Sequence, residues 1–92
     1  MNTLYMVVEH FRNNDAAPVY RRFRERGRMM PDGVRYVSSW VDDKMARCFQ
    51  LMETEDRRLL DEWMANWQDL VEFEVYPLIS SQEAQARIGP KL

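Results

Sequence analysis

Val34-Arg35-Tyr36-Val37-Ser38-Ser39-Trp40-Val41, Asp42-Asp43-Lys44 and Met45-Ala46-Arg47-Cys48-Phe49-Gln50-Leu51-Met52-Glu53 form the stretch on which the fold turns. Two β-forming runs flank a short polar break, which predicts a hairpin. Upstream, Pro31-Asp32-Gly33 punctuates the chain and closes a helix. That helix is expected to start with Asp15 or a neighbour as N-cap, with Pro18 in its first turn. Its apolar residues Ala16, Val19, Tyr20, Phe23, Gly27 and Met30 recur on one face. Before it, residues 3–11 read as a strand ending at Asn13-Asn14-Asp15. Downstream, Thr54-Glu55-Asp56 opens a second helix, with acids where the dipole favours them. Leu59, Leu60, Trp63 and Trp67 form its buried stripe, and Leu70 to Ile79 is a fourth strand. Ser80-Ser81-Gln82-Glu83 is a capping box for a short last helix ending before Gly89-Pro90.

The order is β-α-β-β-α-β, a ferredoxin-like α+β arrangement. Right-handed crossovers put the antiparallel strands in the order 4-1-3-2, with two helices on one face. Residues 1–80 are the expected protomer, and 81–92 a short C-terminal helix and tail.

Composition narrows the function classes. The chain has 92 residues, 46% hydrophobic and 30% charged, with a formal net charge of −2, so one domain is expected and disorder is not. No run approaches the roughly 20 apolar residues of a membrane span. Met1-Asn2-Thr3-Leu4-Tyr5 lacks the basic start and apolar stretch of a signal peptide, and a cytoplasmic location is expected. The single cysteine, Cys48, excludes an internal disulfide.

Alternation assigns each strand two faces. Leu4, Met6 and Val8 are expected beneath the helices, with Val71, Phe73 and Val75, Phe49 and Leu51, and Val37 and Val41. The second face then carries Tyr5, Val7, Glu9 and Phe11; Tyr36, Ser38 and Trp40; Cys48, Gln50 and Met52; Glu72, Glu74 and Tyr76. Five aromatics make water a poor partner for that face. A second copy packed sheet to sheet is the expected cover, giving a homodimer with Glu9, Gln50, Glu72 and Glu74 lining a cavity between sheets.

Four segments carry a resemblance. Val19-Tyr20-Arg21-Arg22-Phe23-Arg24-Glu25-Arg26-Gly27-Arg28-Met29 and Arg47-Cys48-Phe49-Gln50-Leu51-Met52-Glu53 resemble the domain-of-unknown-function 3303 family. Leu60-Asp61-Glu62-Trp63-Met64 and Leu70-Val71-Glu72-Phe73-Glu74-Val75 extend the match to roughly residues 4–80. That family is similar in fold to the dimeric α/β-barrel superfamily, which includes cofactor-independent monooxygenases, dehydratases and small-ligand or metal binders. The resemblance implies a fold and a dimer, and it transfers no catalytic residue.

The chemistry-bearing residues are few. His10 is the only histidine; it has no His-x-x-x-His partner and only Glu9 beside it, on the opposite face, so no metal site is expected. Cys48 lies mid-strand and reads as a small hydrophobe. Six of the thirteen basic residues fall between Arg12 and Arg28, but the chain is acidic overall and lacks interleaved stacking aromatics. A solvated helix face accounts for Arg21 and Arg28, and nucleic acid is not an expected partner. Arg22 and Arg26, one turn apart, can hold a carboxylate or phosphate. No glycine pattern cradles a phosphate, and no cofactor is expected. Carboxylates on an apolar internal face have raised pKa values and can act as acids or bases.

Two readings follow. The first is a small-molecule pocket between sheet and helices or between sheets, lined by Glu9, Tyr36, Trp40, Gln50 and Glu74. It allows cofactor-free oxygenase- or isomerase-like chemistry. The second is a structural or interaction module whose second face is only a dimer interface. A metal binder through His10 and Glu9 is the weakest alternative.

Overall fold

The computed structural model describes residues 2–92; Met1, with which the expected domain opens, lies outside them. The elements are β1 (Thr3–Phe11), α1 (Ala17–Arg26), β2 (Val34–Val41), β3 (Arg47–Thr54), α2 (Arg57–Ala65), β4 (Val71–Leu78) and α3 (Ser81–Ile88). Short 3-10 turns at Arg12–Asn14 and Gly89–Lys91 were not anticipated. The four strands form one antiparallel sheet in the order β2-β3-β1-β4, which from the other edge is 4-1-3-2. No helix among the described residues is long and apolar enough to cross a membrane.

Local chemistry sets the element ends. The Asp15 carboxylate accepts from Ala17 N at 3.1 Å and so caps α1 from two residues before it. Helix α1 stops at Gly27, whose φ of 70° takes the chain out of the helix four residues before the expected Pro31 turn. In the hairpin, Asp42 Oδ1 accepts from Ala46 N and Arg47 N, each at 2.8 Å. This turn holds Met45 at φ 58°, so β3 begins at Arg47 rather than Met45. Asp56 caps α2 through Arg58 N at 2.9 Å. Ser80 caps α3 through Glu83 N at 3.0 Å, as its capping box predicts.

The register identifies the covered face. Tyr5, Val7 and Glu9 lie opposite Met52, Gln50 and Cys48 on β3. On β4, Val7, Glu9 and Phe11 lie opposite Val75, Phe73 and Val71. These residues pack with Val19 of α1, Leu60 and Trp63 of α2, and Trp67 in the turn beyond it. Val7, Met52, Leu60, Trp63 and Val71 are at most 1% exposed. Each such side chain contributes about 1.5–3 kcal/mol on burial.

The expected face assignment is therefore reversed on two strands and half of a third. Leu4, Met6 and Val8, and Phe49 and Leu51, lie on the open face; Tyr5, Val7, Glu9 and Phe11, and Cys48, Gln50 and Met52, lie beneath the helices. On β2 a bulge between Tyr36 and Ser38 shifts the register at Val37. A bulge flips the alternation, so Tyr36 and Val41 both reach the core while Trp40 stays outside. Only β4 follows the expected pattern throughout. The cause is composition: on β1 and β3 both alternating sets are largely apolar, so hydrophobicity does not choose between them.

Candidate functional site

Between the covered face and the helices lies a cavity of about 230 Å³. Its sheet wall is Glu9, Phe11, Ser39, Val41, Cys48 and Gln50. Helix α1 contributes Val19, Tyr20 and Phe23, and Trp63 and Trp67 form the opposite wall. Tyr20 and Phe23 are 43% and 41% exposed, so α1 leaves the cavity a mouth rather than sealing it.

Glu9 is the chemical centre of this space. It is only 4% exposed, and burial pushes its carboxyl up to about 7, against smaller lowering effects from Gln50 and Arg28. Gln50 Nε2 donates to Glu9 Oε2. Gln50 Oε1 in turn accepts from Arg28 Nε at 3.1 Å. The second carboxyl oxygen, Glu9 Oε1, has no hydrogen-bond partner among the described residues, yet it is not a sealed, unsatisfied atom.

Arg28 reaches this position because α1 has already ended. Helical spacing extended through residue 28 places it on the solvated side; the left-handed turn at Gly27 instead returns it over the sheet. Its guanidinium carbon stacks 3.7 Å from the Tyr36 ring centroid and 5.1 Å from that of Phe23. Its backbone oxygen accepts from Trp63 Nε1 at 2.9 Å and Trp67 Nε1 at 3.1 Å. The loop is thereby tied to both walls. Arg28 was missed in the sequence, and the available signal was Gly27 as a helix stop.

The other titratable groups here are held neutral. Burial, then the Glu9 charge, pushes the Cys48 thiol up to about 12, so it is no nucleophile at neutral pH. The Tyr20 hydroxyl is also raised, first by burial and then by Cys48 and Glu9.

Of the five expected lining residues, the cavity brings together Glu9 and Gln50. Tyr36 lies on the same face, but as the platform beneath Arg28, with its hydroxyl 2.6 Å from Ser39 Oγ. Trp40 and Glu74 lie on the open face. There His10 Nε2 contacts Glu74 Oε1, and the Tyr76 hydroxyl donates to Glu74 Oε2. These two bonds hold the Glu74 carboxyl below its ordinary value.

Arg22 is occupied structurally. It makes two 2.7 Å bonds to Asp69, donates to Asn66 O at 3.0 Å and stacks on Trp67. Among the described residues, no group of three or more His, Cys, Asp or Glu side chains is placed to hold a metal.

No curated protein and no solved structure matches the chain. A family model does: it covers residues 3–92, nearly the whole chain, and the protein belongs to the family described as a domain of unknown function, DUF3303.

Proposed function

We propose that the protein binds a small organic molecule in the cavity above Glu9 and moves a proton on it. One observation carries this reading: a carboxyl that is 4% exposed, raised to about 7, with one oxygen anchored by Gln50 and the other unpartnered. A group poised near neutral pH both accepts and returns a proton efficiently. In the reaction envisaged, Glu9 takes a proton from the carbon between a carbonyl and a carbon–carbon double bond, leaving a dienolate. Returning that proton to a different carbon completes an isomerisation and leaves Glu9 as it began. The cavity's size suits a molecule of roughly nine non-hydrogen atoms, since a cavity of about 150 Å³ takes benzene.

The superfamily reading agrees with this picture: ferredoxin-like protomers that pair through their open sheet faces. The open face presents Trp40, 55% exposed, and Tyr76, 47% exposed, beside Leu4, Met6, Phe49 and Leu51. The chain's surface is 6469 Å², where a compact monomer of this mass has about 5,700 Å². The difference is comparable to the roughly 800 Å² each partner contributes to a standard interface. Helix α3, with no buried residue, accounts for part of it.

A competing reading makes the protein a structural module whose open face is its only functional surface. The test uses 2-tetralone, a bicyclic ketone of suitable size, in deuterated buffer. Its binding is read from the Trp63 and Trp67 indole resonances, and exchange of its α-protons by proton NMR. The proposal expects catalysed exchange that falls by about 10²–10⁴ in Glu9→Gln and is unchanged in His10→Gln. Absence of catalysis, or equal rates in Glu9→Gln, favours the structural module.

A further inference from the structure

We infer that the ligand of this cavity is an anion, a small ring compound whose carboxylate or enolate oxygens sit on the terminal nitrogens of Arg28. This inference rests on the cavity reading above and names its ligand class.

Arg12, Arg22, Arg35, Arg57, Arg58 and Arg87 each pair with a carboxylate. Arg28 lines the cavity and is only partly exposed, yet it forms no ion pair among the described residues. Its Nε is spent on Gln50, a neutral amide. Neither of its terminal nitrogens makes a hydrogen bond among the described residues, although a guanidinium offers four donors there.

It is also held still. The planar group lies against Tyr36 and near Phe23, and its backbone oxygen is fixed by both tryptophans. A guanidinium fixed by stacking, with its fork unoccupied, is preorganised for a bidentate oxyanion. Gln50 sits between this cation and Glu9, so the two are bridged rather than directly paired. A direct Arg28–Glu9 pair would neutralise the cavity and leave nothing for an anion. Phe23, Trp63 and Trp67 supply apolar walls for the ring that carries the charge.

Benzoate and benzamide test this, because they match in shape and differ in charge. Each is titrated into the full chain while the Trp63 and Trp67 indole resonances are followed. The wild type is expected to bind benzoate at least tenfold more tightly than benzamide. Arg28→Gln should erase that preference while benzamide binding stays within twofold, and Arg28→Lys should keep part of it. The Arg28 backbone oxygen survives both substitutions, so unshifted indole resonances in the free variants report an intact loop. Equal binding of the two probes by the wild type, or an unchanged preference in Arg28→Gln, overturns the anion assignment but leaves the cavity reading standing. If neither probe moves the indole resonances, both fall.

Discussion

Glu9 and Glu74 lie on neighbouring strands, one register step apart, because Val8 pairs with Glu74 and Glu9 with Phe73. One step of alternation puts them on opposite faces of the same sheet. Beneath the helices, burial raises Glu9 to about 7. On the open face, the Tyr76 hydroxyl and His10 hold Glu74 below its ordinary value. The same side chain titrates near neutral pH on one face and is held as an anion on the other. Chemistry in this fold follows the face, not the residue type.

The largest expected effect breaks the covered side of that comparison. Glu9 has a folded-state value near 7 and an ordinary value of 4.5. The folded chain therefore binds the proton more tightly between those limits. Its contribution is fully present below pH 4.5 and is lost as pH rises through 7. Glu9→Gln should remove this loss, stabilising the protein by about 3 kcal/mol at pH 8. Urea unfolding at pH 5 and pH 8 checks it: the wild type should weaken across the interval and the variant should not.

Two tryptophans give the next contrast. Trp63 is 1% exposed and donates to Arg28 O. Trp63→Phe keeps most of the ring but removes that donor, at an expected cost of about 1–2 kcal/mol in unfolding measurements. Trp40→Asp on the open face should barely change the stability of the protomer, by roughly 0.5 kcal/mol. Its expected effect is on the proposed pairing of protomers. Light scattering should give about twice the 11.1 kDa chain mass for the wild type and a single chain mass for Trp40→Asp. A wild-type monomer removes the dimer from the account.

The smallest effect belongs to Glu74→Gln. A lowered carboxyl stabilises the fold above its ordinary value of 4.5 and loses that contribution as pH falls below it. The variant should lose a little stability above pH 4.5 and converge with the wild type in acid, so its acid limb is flatter. That dependence is opposite in sign to that of Glu9.

These contrasts also mark how far the sequence could be read. Strand β2 is bounded as expected at Val34 and Val41, and the Ser80 cap and the strand order are where turn and crossover chemistry put them. The faces were harder. Val71, Phe73 and Val75 alternate with Glu72 and Glu74, so β4 declares its inner side. On β1, Leu4-Tyr5-Met6-Val7-Val8 is apolar on both, and Glu9 pulls the reading outward because a buried carboxylate is the rarer outcome. The Val37 bulge then hides the inward turn of Tyr36, which no alternation pattern announces. Glu9 and Gln50 stand out in the sequence as polar residues among apolar ones, but they lie beneath the helices rather than on the face expected for them. Arg28 was lost to a helix assumed to run too long.

The most direct test of the account is a carbon-13 NMR titration of the Glu9 side-chain carboxyl in the wild-type chain, with Glu74 followed in the same spectra. The account predicts a midpoint near pH 7 for Glu9 and one below 4.5 for Glu74. A Glu9 midpoint at or below 4.5 would contradict it, because the carboxyl would then be an ordinary anion and no acid–base group would face the cavity.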